Sequence, residues 1–165
     1  MRTGRLRTVV AVLLTGFVVG CAGEGNNEGG SAAQPANLAF IDVGATSAVS
    51  EEIAPAVARF FSYDFRQLDE HSAQIMADST AKYWAEVEPT LGVVRQVASA
   101  QQVVTTAEVV ANSVHVLEPS RAELLLFLNR STTRTGAAPQ QEPSSIIVTA
   151  ARIGPAWKLD GMRVL

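Results

Sequence analysis

The hydrophobic pattern of this chain changes period once, near Ala100, and that switch limits its fold more than any other feature. Before it, Ile53, Val57, Phe60 and Phe61 follow helical spacing, as do Trp84, Val87, Leu91, Val94 and Ala98. After it, residues 103–117 are rich in valine and threonine and read as one long strand with an irregularity at Asn112-Ser113. Residues 124–128 are apolar at every position, which predicts a central strand covered on both faces. Residues 146–153 and a segment opening at Trp157 supply two further strands, separated by a Gly154-Pro155 turn. Helices first and antiparallel strands second predict an α+β fold, with a curved sheet wrapped on the helices.

Within the helical half, Ser50 followed by Glu51 and Glu52 predicts the first helix start, because acids favour the dipole there. Pro55 then falls near the helix start, where a missing N–H is tolerated. A short second helix is predicted from after Asp69 to near Ala77, and a third capped by Asp78 or Ser79 and kinked at Pro89. His71, beside Asp69 and Glu70, reads as an exposed helix residue. Trp84 and Trp157 read as core anchors. Residues 135–143 read as a polar loop.

The N-terminal stretch has a different logic. Arg2, Arg5 and Arg7 precede a run of 12 uncharged residues, 8–19. At a rise of about 1.5 Å per residue this run spans ~18 Å, short of a ~30 Å hydrocarbon core. A secretion signal fits it better than a membrane span. The following Val18, Val19, Gly20 and Cys21 resemble the lipobox of bacterial lipoproteins. That resemblance implies cleavage before Cys21, whose thiol would carry the lipid. Residues 1–20 are then a signal peptide, and residues 21–45, rich in Gly, Asn, Ser, Ala and Gln, a flexible tether. Residues 46–165 form the domain. The expected location is the outer face of the cell membrane, held by the lipidated N-terminus.

Charge limits the partners. The chain carries −3, and removing residues 1–20 leaves 10 basic against 16 acidic residues, or −6. Such a surface holds neither nucleic acid nor anionic headgroups, so acyl chains must supply membrane attachment. One cysteine and two histidines, His71 and His115, leave no basis for a disulfide or a metal centre. No cofactor is predicted.

Phe61-Ser62-Tyr63-Asp64-Phe65-Arg66-Gln67-Leu68-Asp69 is similar to the Tyr-Asp-Tyr-Arg-x-Leu-Asp stretch of actinobacterial Mce-associated proteins. Tyr83-Trp84 in the third helix and the closing Trp157-Lys158-Leu159-Asp160-Gly161-Met162-Arg163 also resemble that family. The resemblance covers residues 47–165. It implies a nuclear-transport-factor-2-like cone, with three helices packed into a bent antiparallel sheet. It also implies a non-enzymatic accessory role in an Mce-type lipid or sterol importer, with transporter components as partners. Tyr63, Asp64 and Arg66 become candidate pocket-mouth or partner contacts, against the plainer reading of a helix-termination network.

The alternative is a cone-fold enzyme or small-lipid binder acting on a sterol-like or polyketide-like ligand. Enzymes of that kind pair an aspartate with a tyrosine donor in an apolar cavity. Tyr63 and Asp64 are adjacent and diverge on a helix, so they do not converge on one atom. Glu108, Glu123 and Asp160 are the strand acids available to such a site, and nothing in the sequence pairs them. No phosphate loop, nucleophile elbow or metal spacing is present. A cavity with a buried carboxylate would favour an enzyme, and one without would favour lipid binding. A cavity plugged by Phe60, Trp84 and Phe127 would favour protein contacts.

Overall fold

The computed structural model describes residues 36–165, so the signal, lipobox and most of the tether lie outside the described residues. A short 3-10 turn, Leu38–Phe40, precedes three helices, α1 (Val43–Phe61), α2 (Leu68–Asp78) and α3 (Ala81–Gln101). The strands are β1 (Tyr63–Asp64), β2 (Val104–Leu117), β3 (Arg121–Thr133), β4 (Gln140–Ile153) and β5 (Ala156–Val164). They form one sheet in the order β1-β2-β3-β4-β5 with every pair antiparallel. The α+β arrangement expected from the period switch is therefore present: three helices against a curved antiparallel sheet.

Curvature has local causes. Bulges interrupt the register at Val109/Ala111 and Val114/Val116 in β2, and at Asp160 in β5, which is passed over where Thr149 and Ala150 of β4 pair with Gly161 and Leu159. Each extra residue bends its strand and increases the local twist. The predicted irregularity at Asn112-Ser113 lies between the two bulges of β2. On the concave face Ala122, Leu124, Leu126 and Leu128 of β3 meet Ile146, Val148 and Ala150 of β4. Helix α1 closes this core with Val49, Ile53, Ala56 and Val57, a single stripe at helical spacing.

Several boundaries differ from the expectation. Helix α1 starts at Val43, not near Ser50, because Asp42 caps it by accepting from Ala45 N at 2.9 Å. Order begins earlier still, inside the segment read as tether. The Asn37 amide donates to the His115 carbonyl and accepts from Leu117 N, both at 2.9 Å. This side chain pairs with the β2 edge as a neighbouring strand would. Pro55 consequently lies well inside α1. Both Pro55 and Pro89 sit on exposed positions, where the carbonyl each leaves without a helical partner can be hydrated.

Helix α3 is capped by Thr80 rather than Asp78 or Ser79. Thr80 Oγ1 accepts from Tyr83 N at 3.2 Å and donates to Asp160 at 2.8 Å, while Thr80 N donates to the Leu159 carbonyl. One residue thus fixes the α3 start to β5. Thr80→Ala is expected to cost about 1–2 kcal/mol in chemical denaturation, with Thr80→Ser restoring most of it.

Strand β3 is central, but only one of its faces is covered. Its even-numbered residues from Ala122 to Leu128 are buried, while Phe127 is 41% exposed and Leu125 half-buried. No described element packs over the convex side. Strand β4 begins at Gln140, earlier than the predicted loop end, and continues through Pro143. That residue lies where β4 extends past its pairing with β5, so the strand is locally an edge there. Trp157 is buried as expected, whereas Trp84 is half-buried and Tyr83 occupies the core position beside it.

Candidate functional site

An apolar opening lies between α1, α2, α3 and the far ends of β2 and β3, with a volume of about 310 Å³. Its wall is Phe60, Phe61, Tyr63, Val87, Leu91 and Val94. Three of these come from the predicted α3 stripe, which explains the stripe's partial burial: it faces a cavity rather than close-packed core. The remaining lining is polar: His71, Thr90, Thr105, Arg130 and Thr132.

The polar side arises from strand alternation. Along β3 the concave face reads Leu124, Leu126, Leu128, Arg130, Thr132, so apolar residues give way to polar ones as the sheet leaves the core. Register places Thr105 opposite Thr132, and their hydroxyls hydrogen-bond at 3.2 Å. The Arg130 guanidinium lies 5.6 Å from the Phe61 ring centroid. Its Nη2 donates to Glu142 at 3.0 Å, and its buried Nε has no hydrogen-bond partner among the described residues.

His71 is buried, not exposed, because α2 turns Leu68, His71 and Ile75 inward at spacings of three and four. Its ring lies 5.8 Å from Tyr63, and Nε2 donates to the Phe60 carbonyl at 3.2 Å. That bond assigns the proton of the neutral ring to Nε2 and leaves Nδ1 as an acceptor. Burial pushes the imidazole pKa below 6.5, against the opposing effect of the Phe60 carbonyl. Since the folded pKa is the lower one, the unfolded chain takes up this proton first as pH falls. The contribution of His71 to stability is complete above about pH 6.5 and is lost below it. His71→Gln should flatten the melting temperature between about pH 7.5 and 5, where the unaltered chain loses stability.

The three residues singled out beforehand do not form one site. Tyr63 lines the cavity. Asp64 and Arg66 do not, because Tyr63 and Asp64 form the short strand β1 and successive strand residues point to opposite faces. Asp64 Oδ1 accepts from Arg66 N at 2.9 Å and from Arg66 Nε at 3.0 Å. These bonds, the backbone one first, hold the Asp64 pKa below 3.8. The pair is a turn lock ahead of α2, the plainer of the two readings.

The plug by Phe60, Trp84 and Phe127 that would favour protein contacts is not formed among the described residues. Phe60 lines the cavity, but Trp84 borders a separate outer cleft and Phe127 points to the convex face. Tyr83 stacks on Phe60 at 6.3 Å, and burial, then Glu86, pushes its hydroxyl up to about 12. None of the lining residues is a carboxylate. Glu108 is exposed, Glu123 borders a small opening elsewhere, and Asp160 is engaged by Thr80. His115 is exposed. Among the described residues, no group of three His, Cys, Asp or Glu side chains could hold a metal ion. No described helix is long and apolar enough to cross a membrane.

No family model matches the chain. It is 28% identical over 118 residues to an uncharacterized protein of Mycobacterium tuberculosis, found in strains CDC 1551 and H37Rv. The match covers 70% of this chain and 54% of that protein, so the chain spans about half the length of the curated relatives it matches. Among solved structures, an IcmL-like type IV secretion system protein from Legionella pneumophila superposes with a TM-score of 0.64. It shares 9% identity, over 72% of this chain and 91% of that one. The periplasmic domain of DotI gives 0.62 at 15% identity, over 72% and 94%. A nuclear-transport-factor-2-like superfamily protein from Salmonella enterica gives 0.55 at 15% identity, over 73% and 92%. At these identities the likeness is one of fold. The domain is a nuclear-transport-factor-2-like cone, in the form that secretion-system envelope domains also adopt.

Proposed function

We propose that this chain is a non-enzymatic, lipid-anchored accessory subunit of an Mce-type lipid import system at the outer face of the plasma membrane. The observation that carries the non-enzymatic part is the cavity: its wall is apolar and its lining contains no carboxylate. A cone-fold catalyst would need a general acid or base there. His71 and Tyr63 are the lining side chains of acid–base type; His71 Nε2 is tied to the Phe60 carbonyl, and no lining carboxylate pairs with either to complete a catalytic set. An apolar chamber with a few polar groups is what ligand binding requires.

The import system rests on the Tyr63–Asp69 motif and the closing Trp157–Arg163 segment, which resemble Mce-associated proteins. The envelope location rests on the basic and apolar N-terminal run, the Val18-Val19-Gly20-Cys21 lipobox, and the fold likeness to a periplasmic domain. In this reading residues 1–20 are removed, Cys21 carries the lipid, and the segment up to Asn37 spans the distance to the domain. Crosslinking in the native envelope, followed by mass spectrometry, tests the partner assignment. The reading expects Mce transporter components among the products, and their absence from a reaction that does crosslink this chain would overturn it.

A further inference from the structure

We propose that the cavity takes one medium-length apolar chain ending in an anionic head, and that Arg130 selects the head. This names the ligand class of the same site, so it rests on the binding reading above.

Volume decides the first part. At ~30 Å³ per non-hydrogen atom, 310 Å³ holds roughly ten such atoms. A single acyl chain of about ten carbons fits. A sterol has nearly three times as many atoms and would leave most of its surface outside, as would a two-chain phospholipid. The wall is suited to a flexible chain, since Phe60, Val87, Leu91 and Val94 present no polar atom that a methylene would strand.

Charge and geometry decide the second part. Arg130 carries the one formal charge in the lining, because His71 is neutral and Glu142, its ion-pair partner, lies outside it. The Arg130 side chain remains 31% exposed, which puts its charged end at the mouth, between water and the apolar wall. An amphiphile needs that arrangement, with its tail inside and its head at the boundary. The buried Nε–H of Arg130 has no hydrogen-bond partner among the described residues, and a carboxylate oxygen would supply one after a small rotation of the guanidinium. Thr105 and Thr132 are hydrogen-bonded to each other, and the hydroxyl that accepts in that pair keeps its own O–H free to donate to the head.

The test uses the lipidated full chain in phosphatidylcholine nanodiscs, titrated with decanoate and separately with decanol. Methyl resonances of Val87, Leu91 and Val94 report occupancy, and empty nanodiscs give the free ligand concentration. Decanoate should bind about tenfold or more tightly than decanol, and octanoate about tenfold more weakly than decanoate. Arg130→Gln should remove the preference for decanoate while leaving decanol within about twofold. Leu91→Trp, or Val94→Phe if the first fails to fold, should abolish binding of both. Equal affinity for the two ligands, unchanged by Arg130→Gln, would overturn the head assignment and leave the apolar cavity reading intact. No methyl shift with any of the three ligands would overturn the binding reading too. Neither outcome touches the crosslinking test of the import partner.

Discussion

Leu126→Ala should destabilise the domain by about 2–5 kcal/mol, and Phe127→Ala, one residue along the same strand, by well under 1 kcal/mol. Leu126 is fully buried on the concave face, clustered with Ile53, Val57, Ile146 and Val148. Truncation removes its transfer energy and leaves a hole that neighbouring strands, held by ladders on both sides, cannot collapse into. Against a total stability of ~5–15 kcal/mol this is a large fraction, lowering the melting temperature by roughly 10–20 °C. Phe127 points away from the helices and is 41% exposed. The contrast therefore measures which face of the sheet holds the fold. Equal losses at the two positions would mean that the convex face is covered, as the unbroken apolar run of residues 124–128 first suggests.

That run shows what the sequence could and could not convey. Period alone places three helices before a four-strand meander, because helical and strand spacings are written by different residues. It does not say that β3 is open on one side. Five consecutive apolar residues read the same whether a second layer covers them or water touches them. The early start of α1 was similarly obscured. Its cap, Asp42, stands in a segment whose composition suggests a tether, and the residue that anchors that segment, Asn37, bonds to partners about eighty positions away.

The candidate site was legible in part. The α3 stripe of Val87, Leu91 and Val94 correctly marked an apolar surface, and Tyr63 lies on the cavity wall. Arg130 and Thr132 could have been found by counting in twos from Leu124, since a strand carries its face forward even where the residues turn polar. His71 could have been found by counting from Leu68 and Ile75. The adjacent acids Asp69 and Glu70 masked that spacing. The meeting of Arg130 with Phe61, and the pairing of Thr105 with Thr132, depend on strand register and could not have been read.

Cys21→Ala should move the protein completely from the detergent phase to the aqueous phase after phase separation. The proposed anchor is chemical, so its loss is close to all-or-none. One acyl chain binds a bilayer marginally, whereas several hold it stably. The described residues offer no substitute. The residues after Gly20 carry −6, which repels anionic headgroups, and no described helix could cross the membrane. Metabolic labelling with a palmitate analogue should be lost in the same variant. Partitioning that is unchanged in Cys21→Ala would refute the lipid anchor and leave the cone fold unaffected.

On the binding reading this cone holds a single-chain acid and does not transform it. Native mass spectrometry of the lipidated chain, gently extracted from its own envelope, decides between holding and turnover. One noncovalent single-chain acid per protein is expected, released unaltered after prolonged incubation and absent from Leu91→Trp. An empty cavity in the unaltered protein, the same adduct in Leu91→Trp, or conversion of the ligand during incubation would contradict it.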